Sequence, residues 1–256
     1  MEKKVYYERE GAIGIIMLND PENSNPINLS VLRGLIDAFK TSAANGDLCV
    51  IYGAKGKNFT FGADLKDGFD LITNPGRRSE AAEDLWCWQE LTSVMLEHPG
   101  VIIVGYHGWI VGGGFEHTLC ADIRVAADDT KIMLPELDMG IFFSNASLKI
   151  LPRIVGEGRA AEMMLMGRVM KAQRALEIGL VNRVCAPEEL EGVLKEYASA
   201  IASKDSVALK TFKKLFRRAQ ESSMDDVLLN EYRAMVQTGQ SEGARQRIGA
   251  FLKMNK

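Results

Sequence analysis

The 256-residue sequence is poor in the features that mark several classes of protein. Its four cysteines are widely spaced and form no C-x-x-C pair, which argues against a disulfide framework and a zinc site. The N-terminus lacks the apolar segment of a signal peptide, and the longest apolar region, 101–111, is interrupted by glycines and a histidine. A formal net charge of −3 gives no basic footprint for nucleic acid. These absences predict a cytoplasmic protein that requires no metal and binds neither membranes nor nucleic acid.

The order of the predicted elements indicates an α/β core followed by consecutive helices. Short runs of β-branched and aromatic residues predict strands at 5–8, 12–18, 48–52, 101–104, 122–127 and 132–134, the first two forming a hairpin. Apolar residues at helical spacing predict helices from about residue 32, at 80–97 and over most of the chain after residue 156. Residues 67–79 show no periodicity and are predicted to form a mobile loop. The core is therefore assigned to residues 1–190 and the helical region to 191–256.

The stretch with the clearest chemical meaning contains three consecutive glycines, Gly112, Gly113 and Gly114, between an apolar strand and a predicted helix. Glycines let a ligand approach the main chain, and the free N–H groups at a helix start stabilise negative charge on a phosphate or an oxyanion. The spacing matches neither G-x-G-x-x-G nor G-x-x-x-x-G-K-[ST], so nucleotide binding is weakly supported. For the triplet alone, a turn that only packs a helix against a sheet is an equal alternative.

Two further segments do not indicate a function on their own. Residues 59–64 follow a predicted strand and also fit a plain surface turn. Pro135 and Glu136 form a common start of a helix or turn. Their meaning comes from their order relative to the three glycines.

Together, these segments resemble the enoyl-CoA hydratase/isomerase (crotonase) superfamily. The matching segments follow the family order at 20–28, 59–64, 107–116, 120–126, 135–140, 151–156 and 179–184. The resemblance runs from about residue 10 to the C-terminus, and the ordered set is far more specific than any one motif. It implies an α/β spiral of repeated ββα units, with a C-terminal helical region that assembles a homotrimer or homohexamer.

The resemblance also implies roles for individual residues. The N–H groups of Ala63 and Gly113 would form an oxyanion hole for the thioester carbonyl of an acyl-CoA substrate. Glu116 would hold and activate a water molecule, and Glu136 would supply a proton to Cα. The other residues expected to bind substrate are Asn25, Phe61, Gly62, Asp64, Gly112, Phe142 and Phe143. No cofactor is expected, because coenzyme A is part of the substrate.

The sequence departs from the family pattern after Gly140. Phe142 and Phe143 replace a proline- and glycine-rich turn, and large rings there predict a preference for short or aromatic acyl groups. Trp86 and Trp88 could form the opposite wall, although single aromatic residues more often belong to a core.

Basic residues and histidines give weaker signals. Asn23 and Ser24 replace basic residues that often lie near the CoA phosphates. Three lysines could supply the missing positive charge, but each fits an ordinary solvated surface lysine equally well: Lys55, Lys57 and Lys253. His117 follows Glu116 directly, so on a helix it points away from the same site, and no second metal ligand accompanies it. It is interpreted as structural, together with His98 and His107.

The leading hypothesis is an enoyl-CoA hydratase. A double-bond isomerase, a CoA-thioester hydrolase or a hydratase–lyase would keep the same oxyanion hole and use one of the glutamates. A catalytically silent binding protein is the alternative outside enzymes, but it would need neither Glu116 nor Glu136. The acyl chain and the choice between trimer and hexamer stay open.

Overall fold

In a computed structural model, which describes residues 3–254, the chain begins with an antiparallel hairpin. Strand β1 (Val5–Glu10) pairs with β2 (Ile13–Leu18), and Gly11 adopts a φ of +63° in the turn between them. Along β2 the side chains alternate between buried and half-buried positions, as expected for a strand whose faces differ in burial. The predicted hairpin is confirmed.

Nine strands form two sheets in the described residues. After the hairpin, the strands are β3 (Cys49–Ala54), β4 (Val101–Tyr106), β5 (Trp109–Val111), β6 (Ile123–Ala127), β7 (Lys131–Met133), β8 (Met170–Lys171) and β9 (Arg183–Cys185). The main sheet has the order β1-β2-β3-β4-β6-β9 and is parallel beyond the hairpin, whereas β5, β7 and β8 form the second sheet. Strands β3 and β4 are buried along their whole length, as in sheets covered on both faces.

The helices complete a repeated unit of two strands and a helix. They are α1 (Leu29–Ala44), α2 (Leu65–Thr73), α3 (Arg78–Glu97), α4 (Gly113–Glu116), α5 (Ser147–Val155), α6 (Glu157–Met166), α7 (Ala172–Glu177), α8 (Leu190–Ala202), α9 (Ser206–Ala219), α10 (Met224–Gly239) and α11 (Glu242–Met254). In β4–β5–α4 and again in β6–β7–α5, the first strand joins the main sheet and the second joins the small one. Thr60 extends the small sheet after β3 through a bridge to Ile110. The predicted ββα fold class is confirmed.

The prediction of a loop at 67–79 is wrong, because α2 occupies most of that segment. The carboxylate of Asp64 caps α2 by accepting from the N–H groups of Lys66 and Asp67. Leu71 is buried in α2, whereas Phe69 and Ile72 are more than two thirds exposed. Leu65, Phe69 and Ile72 stand at helical spacing, but this stripe spans only two turns and faces solvent, and the glycine, asparagine and proline of the segment favour a loop.

The helices after residue 190 have two different positions. In α8, apolar residues such as Val193 and Leu194 pack on the face of the main sheet away from α1. A Cβ on Gly105 would lie 2.4 Å from Leu194 Cδ1, so this glycine allows α8 to sit close to β4. In α9, by contrast, Phe212 and Phe216 are more than half exposed. The division at residue 190 stays a prediction, and its outer limits, residues 1–2 and 255–256, lie outside the described range.

Membrane insertion through a helix has no support in residues 3–254. None of the helices there combines the length and the apolar character that crossing a bilayer requires.

Candidate active site

The glycine-rich turn between β5 and α4 lets a carboxylate approach the backbone. Gly112 has φ +54° and ψ −135°, a conformation that L side chains rarely adopt. A Cβ on Gly112 would lie 2.6 Å from Oε1 of Glu136. Glycine is therefore required at this position both for the turn and for the position of Glu136.

A second backbone segment packs against this turn. Gly62 has a φ of +84°, and a Cβ there would lie 2.6 Å from the carbonyl oxygen of Val111. A Cβ on Gly114 would lie 3.0 Å from Gly62 Cα and 2.4 Å from Thr60 Cγ2. The absence of side chains at 62 and 114 thus brings the backbone around Ala63 next to that around Gly113.

The N–H groups of Ala63 and Gly113 lie outside the hydrogen bonds that hold these segments. The bridge between Ile27 and Ala63 uses the carbonyl of Gly62 and the N–H of Asp64, which flank Ala63. Gly113 is the first residue of α4, so its N–H has no partner within that helix. Within residues 3–254, this pair of adjacent donors is suited to hold one oxygen atom that carries negative charge.

Glu116 and Glu136 are both buried next to this turn, with 1% and 3% of their surface exposed. Glu116 lies at the end of α4, and Glu136 immediately precedes a short 3₁₀ turn, Leu137–Met139. Oε2 of Glu136 has no hydrogen-bond partner among the described residues. The structure therefore brings together the two carboxyl groups that the sequence singled out.

Burial raises the pKa of both carboxyls, because the ionised form loses its hydration. It raises the pKa of Glu116 to about 7; hydrogen bonds from Ser147 and Ser144 oppose the rise, and the nearby Glu136 adds to it. Two close carboxyls in a dry site share a proton readily, so the pair is suited to combined acid and base chemistry near neutral pH.

The turn after Glu136 supplies the hydrogen bonds of Glu116, which sequence reasoning missed. Oε2 of Glu116 accepts from the N–H of Ser144 at 2.8 Å and from the hydroxyl of Ser147 at 2.5 Å. In the sequence this turn is unusual for its two phenylalanines, not for its serines. Serines are common in turns, and no spacing rule connects them to a glutamate 28 and 31 residues away.

The aromatic residues proposed for the acyl pocket occupy different environments. Trp88 is 6% exposed, and its ring lies 3.2 Å from where a Cβ on Gly113 would stand. Trp86 is 67% exposed, so only Trp88 borders the glycine turn. Phe143 packs partly buried against the core, whereas Phe142 is 71% exposed, with the two ring centroids 5.9 Å apart.

Asn25 supports the loop that carries Ala63. Its side-chain NH₂ donates to the carbonyls of Lys55, Asn58 and Phe59, and its Oδ1 accepts from the N–H of Asp20. Asn25 is 2% exposed, so its side chain supports the loop from the protein interior. A direct contact of this side chain with substrate is not supported by its position.

Phe61 and Asp64 occupy the same loop as Ala63. Phe61 is 47% exposed, with its ring centroid 6.1 Å from that of Trp109. The carboxylate of Asp64 caps the N-terminus of α2. Phe61 therefore offers an exposed aromatic face beside the backbone of Gly62, while Asp64 fixes the start of the next helix.

Two of the three histidines, His98 and His117, are buried with both ring nitrogens bonded to protein groups, whereas Nε2 of the half-buried His107 has no partner within residues 3–254. His117 bonds to the Tyr52 hydroxyl and the Gly113 carbonyl, and burial lowers its pKa to about 4. His98 bonds to Gly100 and Ser42, and burial likewise lowers its pKa to about 4. Burial also lowers the pKa of His107. All three side chains are thus neutral near pH 7, and the structural interpretation agrees with these positions.

With this geometry established, the chain was compared with known proteins. The family model described as enoyl-CoA hydratase/isomerase matches residues 8–256. The chain is 29% identical over 254 residues to the short-chain-enoyl-CoA hydratase of Clostridium acetobutylicum, covering 98% of this chain and 95% of that protein. It is also 29% identical to the crotonyl-CoA hydratase of Syntrophomonas wolfei, with 99% and 96% covered.

Solved structures give the same result. The enoyl-CoA hydratase of Mycobacterium smegmatis superposes with a TM-score of 0.90 at 27% identity, covering 99% of this chain and 97% of that one. The enoyl-CoA hydratase of Bacillus anthracis superposes with a TM-score of 0.90 at 26% identity, covering 98% and 96%. The chain therefore shares its fold with these proteins along almost its whole length. The chain belongs to the enoyl-CoA hydratase/isomerase family and is an enzyme of the crotonase superfamily.

Proposed function

We propose that this protein is an enoyl-CoA hydratase, which adds water across the double bond of a 2-enoyl-CoA thioester. The observation that carries the proposal is the pair of buried carboxyls, Glu116 and Glu136, beside the N–H groups of Ala63 and Gly113. The names of the similar proteins support the same reaction.

In the proposed reaction, Glu116 removes a proton from water as the water oxygen bonds to Cβ. The electron pair of the double bond moves toward the thioester, and its oxygen gains negative charge. The N–H groups of Ala63 and Gly113 donate to that oxygen and stabilise the charge as it develops. Glu136 then gives its proton to Cα, so one water molecule has been added. The proton gained by Glu116 returns to Glu136 directly or through solvent, and the pair is restored.

The test is to follow the loss of enone absorbance of crotonyl-CoA with the purified protein, and to identify the product. A 3-hydroxyacyl-CoA product is expected. Free coenzyme A would indicate a hydrolase, a shifted double bond an isomerase, and a cleaved acyl chain a hydratase–lyase. Tight binding of crotonyl-CoA without any product would support a silent binding protein and reject the proposal.

We further propose that the substrates are short or aromatic enoyl-CoA thioesters. Phe142 and Phe143 follow Glu136 closely, and aromatic rings at this position can shorten the pocket or stack on a flat acyl group, worth about 0.5–1.5 kcal/mol beyond burial. The experiment compares kcat/KM for crotonyl-, cinnamoyl- and dodecenoyl-CoA in the wild type and in the two variants Phe142→Gly and Phe143→Gly. A wild-type preference for dodecenoyl-CoA, or an unchanged ranking in Phe143→Gly, would contradict the proposal.

We also propose that the protein assembles as a homotrimer or a homohexamer through its C-terminal helices. Exposed apolar side chains line a groove between α9 and α10, among them Phe212, Phe216 and Met235. Contiguous apolar surface of this kind is typical of subunit interfaces, and cyclic symmetry lets one patch produce a closed assembly. Light scattering at micromolar concentration tests the proposal. A monomeric mass would contradict it.

A further inference from the structure

The turn that holds Glu116 contains two consecutive residues in the left-handed region. Asn145 has a φ of +55° and Ala146 a φ of +54°, and neither is a glycine. A non-glycine residue in this region costs of order 1 kcal/mol, so such a turn persists only where its surroundings impose it.

Hydrogen bonds of Asn145 impose this conformation. Its Oδ1 accepts from the hydroxyl of Thr92 in α3 at 2.9 Å, and its Nδ2 donates to the hydroxyl of Ser144 at 2.6 Å. Asn145 is completely buried. The left-handed turn is therefore fixed by a contact with α3.

The left-handed turn places two hydrogen-bond donors next to one oxygen atom of Glu116. The Ser144 N–H and the Ser147 hydroxyl both bind Oε2 of Glu116, and Ser147 is 1% exposed as the first residue of α5. Two donors on one oxygen orient the carboxyl group and favour its ionised form.

Glu136 has the opposite surroundings. Its Oε2 is buried and lacks any donor within residues 3–254. If Glu116 held the shared proton, the N–H of Ser144 and the hydroxyl of Ser147 would donate to a neutral carboxylic acid. The negative charge would then lie on Glu136, whose buried Oε2 receives no hydrogen bond from the described residues. The reverse distribution places the charge where the donors are.

We propose that Ser147 is a positioning residue that orients the Glu116 carboxyl and favours its ionised form, and so shifts the shared proton of the pair toward Glu136. This inference rests on the proposed hydratase function, and it gives the two glutamates distinct roles before substrate binds. Glu136, from the segment after β7, is the titratable group that faces Glu116. His117, the neighbouring residue, is neutral and directed to Tyr52 and Gly113, and α3 contributes Trp88 and Thr92 to this side, neither of which titrates.

The experiment measures kcat/KM for crotonyl-CoA against pH in Ser147→Ala. Loss of a donor that favours the carboxylate raises the pKa of Glu116, so the acid limb of the profile should move to higher pH. A hydrogen bond to a charged group corresponds to a shift of about one to two pH units. Ser147→Thr keeps the hydroxyl and should return the limb toward the wild-type position. Ser93→Ala removes a hydroxyl from an exposed position of α3 and should leave the profile unchanged.

A second measurement does not depend on turnover. In the Glu136→Gln background, carbon-13 NMR of labelled glutamate carboxyls follows Glu116 without its coupled partner. Adding Ser147→Ala should raise the pKa of Glu116 by the same one to two units, about the contribution of one charged hydrogen bond.

Two results would overturn the inference. One is a Ser147→Ala variant that is folded by circular dichroism and slower by the same factor at every pH. The other is an unchanged pKa of Glu116 in the NMR titration. Absence of crotonyl-CoA hydration by the wild type would instead reject the proposed function, and the NMR titration would still decide the role of Ser147.

Discussion

The candidate site has two halves that are built in opposite ways. The backbone half, Gly62, Ala63 and Gly112–Gly114, depends on missing side chains, because a single Cβ at 62, 112 or 114 would lie 2.4–2.6 Å from a neighbouring atom. The carboxylate half depends on particular side-chain atoms: Glu116, Glu136 and Ser147, with the N–H of Ser144. The backbone half is thus disrupted when atoms are added, and the carboxylate half when they are removed or exchanged.

The largest effect is expected in the carboxylate half. Glu116→Gln and Glu136→Gln should each lower kcat for hydration by about 10²–10⁴-fold, because each removes a general acid or base while keeping size and shape. Binding of a non-reactive CoA ester should change little, and calorimetry can measure it. Turnover near the wild-type value in either variant would remove that residue from the mechanism.

A smaller but clear effect is expected when one methyl group is added to the backbone half. In Gly114→Ala the new Cβ would meet Thr60 and Gly62, so the two segments must separate and the N–H groups of Ala63 and Gly113 lose their alignment. Loss of one such donor typically costs about 10²–10³-fold in kcat.

The matched change for Gly114→Ala is Gly158→Ala. Gly158 lies in α6 with nothing within 4 Å of its added Cβ. That variant should keep full activity and gain up to about 1 kcal/mol in stability from helix propensity. Equal activity in the two variants would show that the glycine contacts at 114 do not shape the site.

The pH dependence should sharpen the comparison, since only the carboxylate half titrates. Burial raises the pKa of Glu116 to about 7. Glu116 must be ionised to act as base, so kcat/KM should fall as pH drops below that value, by about tenfold per pH unit. A rate that stays constant down to the ordinary pKa of a glutamate would contradict a base with a raised pKa. Circular dichroism at each pH excludes unfolding as the cause.

The smallest effect is expected at Asp64, which follows the backbone half and caps α2. Asp64→Ala removes the acceptor for the N–H groups of Lys66 and Asp67 and should lower the free energy of unfolding by about 1 kcal/mol. Asp70→Ala is the control, because Asp70 is exposed and Arg77 keeps its bonds to Asp67 and Glu80. Urea unfolding measures both. An equal or larger loss for Asp70→Ala would show that the cap contributes little.

The two halves also differ in how far the sequence could predict them. The backbone half is visible in the sequence as three consecutive glycines after an apolar run, and the strands at 101–104 and 122–127 were predicted from short apolar runs. Glu116 and Glu136 entered the same hypothesis only through the ordered resemblance to a family. The structure places them together, while their catalytic roles remain a prediction.

What the sequence could not show depends on long-range contacts. The bond from Ser147 to Glu116 requires a left-handed turn at Asn145 and Ala146, which is imposed by Thr92, 53 residues before Asn145. Tertiary contacts, and not local preference, therefore determine the conformation of this turn.

The carboxylate of Asp122 has a consequence for biosynthesis. It accepts from the N–H of Ile102 at the start of β4 and pairs with Lys213 at 2.9 Å and Arg217 at 2.8 Å. Burial alone would raise the pKa of Asp122, but these two cations outweigh it and lower the pKa. Lys213 also donates to the carbonyl of Gly100, 113 residues earlier in the chain. A nascent chain that ends before α9 therefore lacks both cations, so the contacts of Asp122 with this helix form only after Lys213 and Arg217 have been synthesised.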